Sequence, residues 1–454
     1  MKGMDSTKIG KYRWSICALL FFATTINYID RQVIGLLKPI LSDQFEWTEK
    51  DFGGMMSAFS AAYAVGLLVF GRLVDKIGTK MGYILSIVVW SFAAMGHALA
   101  KTTMGFGIAR VLLGLGESGN FPVAIKTVAE WFPKKERALA TGIFNSGANI
   151  GAVIAPIVVP WLAGTYGWQH AFIWTGIIGF AWLVFWVFMY EIPARHKKLT
   201  QAEFDYIHSD DVAHTVADGE IPDGVKPVTP AAVAAASTPP EKKSVSWTKL
   251  LGVRQTWAFV FGKLLTDPIW WFFLFWLPSY FATTFNLDFK KPNLQLFVIY
   301  TATTVGSIGG GYLSSWLINK GWPVFRARKT SMLLFAICVV PIMFAKSTNN
   351  IWVVVGLISL AAAAHQAWSA NIFTTASDMF PKHAVSSVVG IGGMAGSIGG
   401  SLFPIFAGFL LDYYKEQGNI GTGYNILFLI SGSMYLLAWL IMHLFAPKME
   451  QVKL

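Results

Sequence analysis

The chain has 454 residues, enough for two or three soluble domains, yet 54% are hydrophobic, 13% are charged and the mean hydropathy is +0.51. A charged share about half the soluble norm excludes a soluble multidomain protein. The net charge of +11 suggests a nucleic-acid partner, but 35 Phe and 19 Trp fit lipid-facing and interfacial helices better. Cys17 and Cys338 both lie in apolar runs, so no disulfide framework, metal site or other cofactor is expected.

The basic N-terminus leads into a long apolar run broken by polar residues, with no small-residue cleavage pattern. It reads as a retained first helix, not a signal peptide. Runs long enough to span a bilayer recur along the chain. Twelve spans are predicted, at 14–37, 52–74, 81–100, 103–130, 138–164 and 168–190, then 256–285, 293–318, 328–345, 350–379, 384–411 and 423–446. The expected fold is an all-α polytopic membrane protein, its twelve transmembrane helices forming two six-helix bundles (1–190 and 255–454) joined by a linker at 191–254. The piece at 222–243 is rich in Ala, Pro and Thr and reads as a flexible tether. Thr200 followed by Glu203 is a capping-box pattern and predicts a short surface helix over 199–208.

Of the 36 Lys and Arg, 25 fall on the side that holds both termini and the linker, seven fall on the other side, and Arg31, Arg110, Lys126 and Lys263 lie inside spans. The positive-inside rule makes the termini and linker cytoplasmic. The charge is then topological, and no nucleic-acid partner is needed; the bilayer is the expected partner.

Several spans carry polar groups that are expensive in lipid, about 3 kcal/mol for a mid-membrane charge on insertion scales. In the first, Asn27 is three and four positions from Asp30 and Arg31, so the three are expected to cluster on one face. Arg31 offers a planar donor fork suited to a carboxylate; Asp30 either neutralises it in an empty site or takes a proton. In the fourth, Arg110 and Glu117 share a face about 10 Å apart, and Asn120 joins them. An intramembrane carboxylate is a functional hypothesis by default, so Glu117 is read as a proton carrier; the competing reading is a structural pair with Arg110 or a neighbouring helix. Asn145 and Asn149, four apart, and His365, Gln366, Ser369 and Asn371 are candidate hydroxyl partners or simple helix–helix bonds. Trp270, Trp271 and Trp276 surround Asp267-Pro268, and Trp271 is the candidate to stack on a ligand ring. The run Gly390–Gly400 lacks the Lys-Ser/Thr ending of a phosphate loop and reads as close helix packing.

The loop from Gly71 to Lys80, with Asp75, Lys76 and Gly78, resembles the G-x-x-x-D-R-x-G-R-R loop of the major facilitator superfamily, with Thr79 departing from it. Its charges, with Glu130 and Arg137, are candidate gating latches. The equivalent place in the second half, 310–316, lacks the acid and the base, so a weaker second latch is expected. Asn-Tyr-x-Asp-Arg at 27–31, Arg110 with Glu117, the segment at 121–137 that opens Phe-Pro and closes Glu-Trp-Phe-Pro-x-x-Glu-Arg, and Phe-Asn-Ser-Gly-x-x-x-Gly at 144–151 resemble the anion:cation symporters of that superfamily; Ala148–Pro156, Lys263–Trp270, Ala364–Ala367 and Ser377-Asp378 resemble, within them, bacterial hexuronate transporters. Lys263 and Asp267 stand where that resemblance leads one to expect Arg and Glu.

The resemblance implies proton-coupled import of a sugar acid such as glucuronate or galacturonate across the inner membrane, without enzyme activity, by a chain functional as a monomer. It implies that Arg31 binds the carboxylate, Tyr28 donates a hydrogen bond, and Asp30 and Glu117, with Arg110, handle protons. Lys263, Asn145, Asn149, Trp271, His365 and Gln366 complete the expected substrate site. Two bundles rocking around a midplane site would give alternating access. Another organic anion (galactonate or another aldonate, or an aldarate), sodium coupling, a non-transporting sensor and a membrane enzyme are the alternatives; no nucleophile–base pair or nucleotide loop favours the last.

Overall fold

The computed structural model describes residues 9–47, 49–210, 245–285 and 294–454. The tether at 222–243, with Lys290 and Lys291, lies outside the described residues. The first half comprises α1 Tyr12–Phe45, α2 Glu49–Ile77, α3 Thr79–Gly96, α4 Thr103–Glu117, α5 Asn120–Trp131, α6 Lys134–Tyr166 and α7 Trp168–Met189. Two short helices follow, α8 Gln201–Ile207 and α9 Trp247–Leu251. The second half comprises α10 Arg254–Phe285, α11 Leu294–Asn319, α12 Val324–Val339 with a 3-10 extension to Ser347, α13 Ile351–Met379, α14 Val385–Glu416 and α15 Ile420–Phe445. With α4 and α5 counted as one span, these are the twelve transmembrane helices in two bundles of six. Among the described residues nine helices are individually long and apolar enough to cross a bilayer. The other three spans (α1, α4 with α5, and α10) carry Arg31, Glu117 and Lys263. Outward-facing side chains such as Phe188 (82% exposed) and Phe409 (74%) form an apolar surface suited to lipid.

The fourth span is not one helix, as the sequence reading had it. It breaks at Ser118–Gly119. Pro122 has no N–H to give the Ser118 carbonyl, so the ladder loses a rung there. Neighbouring side chains serve the loosened end of α4. Ser86 Oγ donates to the Gly116 carbonyl at 2.6 Å and Asn27 Nδ2 to the Glu117 carbonyl at 3.5 Å. The break leaves Glu117 as the last residue of α4, beside α1.

The two halves repeat a turn pattern. Gly78 (φ 85°) links the second and third spans and Gly321 (φ 89°) the eighth and ninth. Gly167 (φ 95°) and Gly418 (φ 70°) likewise follow the fifth and eleventh. All four sit in the left-handed region that glycine enters without a Cβ penalty.

The halves meet along α2 with α14 and α6 with α11. A Cβ at Gly71 would lie 2.6 Å from the Ser386 carbonyl oxygen, and one at Gly142 would collide with the Ser307 carbonyl. These contacts lie toward the end that carries both chain termini, called the terminal end below.

Helix α8 is docked, not loose on the surface. Thr200 Oγ1 caps it by accepting from Glu203 N at 3.2 Å. The Glu203 carboxylate instead reaches α1, accepting from the Tyr12 and Arg13 amides at 3.2 and 3.1 Å. It so satisfies two orphan donors at a helix start. Arg13 bridges Glu203 (3.1 Å) and Glu136 (2.8 Å). Tyr206 donates to Glu136 at 2.8 Å, and burial with that bond raises its pKa.

Adding a branched side chain at Gly142 should push α6 from α11 at the terminal end. Spin labels on Lys135→Cys and Lys320→Cys should report a longer mean distance in Gly142→Val than in its parent. An unchanged distance would show that this contact does not hold the halves together.

Candidate functional site

At mid-span a cavity opens between the halves, with about 720 Å³ of empty space counting its mouth. The first half contributes Tyr28, Arg31, Tyr63, Phe121 and Asn145; the second contributes Lys263, Asp267, Trp270, Trp271, His365, Gln366 and Ser369.

Arg31 is the first half's cation. Its Nε donates to Glu117 Oε2 at 3.0 Å, and its guanidinium lies 4.6–5.2 Å from the ring centroids of Tyr28, Phe59 and Tyr63. Glu117 is fully buried behind it. Only one bond joins the pair: Arg31 Nη2 and Glu117 Oε1 have no hydrogen-bond partner. The aromatic faces favour a cation, while the guanidinium keeps donors in hand.

Of the two structural partners open to Glu117, Arg110 or a neighbouring helix, it takes the second and bonds to Arg31 of α1. Arg110 points instead at the Arg31 carbonyl (3.4 Å) and the Met56 sulfur (3.5 Å), under the Phe59 ring. Asp30 does not join Arg31 or line the cavity. It faces Thr175 of α7, 2% exposed, and neither carboxylate oxygen makes a hydrogen bond of normal geometry. Successive residues on a helix diverge by about 100°, which sends Asp30 and Arg31 to different neighbours. Asn120 is taken up between helices, accepting from Tyr83 and donating to Thr24.

In the second half Lys263 Nζ meets Asp267 Oδ2 at 2.7 Å and lies 4.1 Å from the Phe373 ring centroid. Trp270 stacks on His365 (5.1 Å, 3° between planes), whose Nδ1 is bonded to Tyr435. Trp271 packs against Gly400. Gln366 links the halves, accepting from Asn145 at 2.9 Å and donating to Asn149 at 3.3 Å. Asn149 is thus part of the network, but Asn145 is the asparagine on the cavity wall. Asn371 turns away to the Gly310 and Ala367 carbonyls. The glycines of α14 accept bulk from their neighbours, as the packing reading required: Gly392 abuts Phe259, Gly396 abuts Asp267 and Gly400 abuts Trp271.

Tyr63, Phe121, Trp270, Phe373 and Ser397 line the cavity without having been singled out as site residues. Tyr63 is an ordinary aromatic position in an apolar span, and no sequence pattern marks it; Phe121 opens the motif at 121–137, which does not itself point to a cavity.

The terminal end is closed by two charge clusters. Asp75 takes Lys126 at 2.8 Å and the Ser387 amide and hydroxyl at 2.7 Å, tying α2 and α5 to α14. Lys126, placed inside a span by the sequence, is the cation of this cluster. Lys76 is exposed and takes no part in it. Lys80 pairs with Glu191 at 3.1 Å, and Glu130 accepts from Thr79 and Tyr190. The second cluster is stronger than expected. Asp378 takes both Arg328 (3.0 Å) and Arg137 (3.3 Å), and Arg328 also donates to the Lys134 carbonyl. Its acid comes from the end of α13, not from the loop where the repeat pointed.

The sequence matches the Major Facilitator Superfamily over residues 20–404, with a second match over 330–453. The chain belongs to the major facilitator superfamily. It is 31% identical over 411 residues to a hexuronate transporter of Escherichia coli (strain K12), covering 89% of each chain. It is 30% identical over 306 residues to a galacturonate transporter of Dickeya chrysanthemi, covering 67% of this chain and 82% of the relative. A D-galactonate transporter of Escherichia coli O6:H1 is 28% identical over 412 residues, 90% and 92% of the two chains. Among solved structures, a superfamily proton:xylose symporter bound to 6-bromo-6-deoxy-D-glucose superposes with TM-score 0.72 at 16% identity, covering 97% of each chain. That likeness shows the fold alone. This chain is accordingly a multi-pass membrane transporter similar to sugar-acid carriers.

The two kinds of ion pair at the terminal end should differ in worth. Asp378→Asn leaves the buried Arg328 and Arg137 without their anion, and breaking such a pair costs about 3–5 kcal/mol. Glu191→Gln removes a pair whose side chains are 37% and 31% exposed, worth about 0–1 kcal/mol. Thermal unfolding of the purified variants should show a marked drop for the first and almost none for the second. Equal drops would contradict this ranking.

Proposed function

We propose that this transporter imports a hexuronate, glucuronate or galacturonate, together with protons. The observation that carries the reading is the single bond between Arg31 and Glu117, which leaves a donor and an acceptor unsatisfied just behind the cavity wall. A proton on Glu117 cancels its hold on Arg31. The guanidinium is then free to take the substrate carboxylate in a bidentate grip. Tyr28 donates to the same carboxylate. Asn145, Gln366, His365 and the remaining donors of Lys263 meet the hydroxyls, Asn149 holds Gln366 in place, and Trp271 packs on the ring. Asp30 is the second proton site; its buried, unbonded carboxylate is costly while charged. Arg110 supplies positive potential behind Glu117.

Anion and proton arrive together, so the loaded carrier reorients with no added charge in its core. The terminal end, with its Lys and Arg excess, is the cytoplasmic side, and the inner membrane is the expected location. The clusters built on Asp75, Glu130, Arg137, Lys80 and Asp378, and the glycine contact at Gly71, act as the cytoplasmic gate, with Gly78 setting the turn beside it. Closed there, the protein is poised to load from outside. Loss of the proton to the cytoplasm lets Glu117 recapture Arg31 and displaces the substrate. One chain contains the whole cavity, which supports a functional monomer. An aldonate substrate is the second reading, supported by the D-galactonate relative.

Uptake of labelled glucuronate into proteoliposomes under an inward pH gradient tests this. The parent should accumulate glucuronate; Glu117→Gln should lose accumulation but keep exchange of substrate across the membrane. Arg31→Lys should raise KM by about tenfold or more, because a point charge cannot replace the fork. Uptake of galactonate without glucuronate would replace the substrate and keep the mechanism. Binding without uptake would contradict transport of these acids.

A further inference from the structure

We propose that Asp267 sets the charge of the anion that this cavity accepts: by locking Lys263 it restricts the site to acids with one carboxylate. The inference rests on the sugar-acid reading above and adds a specificity-determining residue to it.

Among the described residues the cavity has two cations, Arg31 and Lys263, and they are not equally available. Arg31 and Glu117 sit on different helices and share one bond, with Arg31 Nη2 and Glu117 Oε1 unpartnered. Lys263 and Asp267 sit four residues apart on α10, 2.7 Å from each other. A pair within one helix moves as a unit, so rocking of the bundles does not part it. The Asp267 carboxylate is also seated: α14 presents Gly396, and a Cβ there would collide with Asp267 Oδ2. The ammonium of Lys263 is flanked on its other side by the Phe373 ring.

The charge balance gives the consequence. With all four groups ionised the two pairs cancel. A proton on Glu117 leaves one positive charge, which matches one carboxylate. A sugar diacid brings a second negative charge that Lys263, already neutralised, does not compensate, and an uncompensated charge in such a site is expensive. Removing the charge of Asp267 would supply the missing cation.

The test is calorimetric binding of glucuronate and galactarate to the purified full chain. The quantity read is the ratio of the two dissociation constants. The parent should bind glucuronate more tightly than galactarate, by about tenfold or more for one uncompensated charge. Asp267→Asn should shift the ratio toward galactarate by a similar factor, Asp267→Glu should keep the parent's ratio, and Lys263→Gln combined with Asp267→Asn should restore preference for the monoacid. Asp267→Ala, which removes the same charge, should shift the ratio in the same direction and serves where Asp267→Asn does not fold. Equal affinity of the parent for both acids, or an unchanged ratio in Asp267→Asn or Asp267→Ala, overturns the lock. If the parent binds galactonate in place of glucuronate, the hexuronate reading fails, and the ratio is read against galactonate with the same expectations.

Discussion

The structure depends on one constraint: a guanidinium held in the middle of an apolar bundle by a carboxylate that reaches only one of its edges. Arg31 is surrounded by Tyr28, Phe59 and Tyr63, and Glu117 behind it is fully buried. A buried ion pair is a poor source of stability but a sharp two-state element, since removing either charge transforms the other's surroundings. The helix break at Ser118–Gly119 and the glycine-tight contact of α4 with α3 at Gly116 put Glu117 where this pairing is possible. The stronger interactions lie elsewhere, at the terminal end.

That distribution fits a machine with two rigid bodies. Small residues at Gly71, Gly142, Gly311 and Gly390 let backbones of opposite halves touch. Charge clusters centred on Asp75 and Asp378 then fasten the same end. Such packed contacts are bistable instead of elastic. In the proposed mechanism, loss of a proton or gain of an anion at mid-span shifts which end is fastened. The docked α8 braces the first half at the same end, because Glu203 and Tyr206 hold Arg13 and Glu136 at the starts of α1 and α6.

The fold was legible because hydropathy, Lys and Arg placement and the loop at 71–80 each depend on local sequence. The location of Arg31, Lys263, Asn145 and Gln366 on one cavity was legible for the same reason: polar residues in apolar spans need a shared interior. Pairing was not. Spacing along one helix suggested Arg110 for Glu117 and Asp30 for Arg31, but contact across helices decides partners. The same limitation hid Lys126 as the partner of Asp75 and Asp378 as the partner of Arg328. Tyr63 was invisible because an aromatic in an apolar span has no distinguishing context. The break in the fourth span was readable in principle from Pro122, four residues after Ser118.

In the proposed mechanism substrate carboxylate and proton load together, the carboxylate on Arg31 and the proton on Glu117. Mixing glucuronate with purified protein in weakly buffered solution, with a pH indicator, measures it directly. The account predicts proton uptake on binding, approaching about one proton per glucuronate where Glu117 is ionised in the empty protein, and none of that uptake in Glu117→Gln. Saturable binding of glucuronate with no proton uptake by the parent at any pH would contradict it.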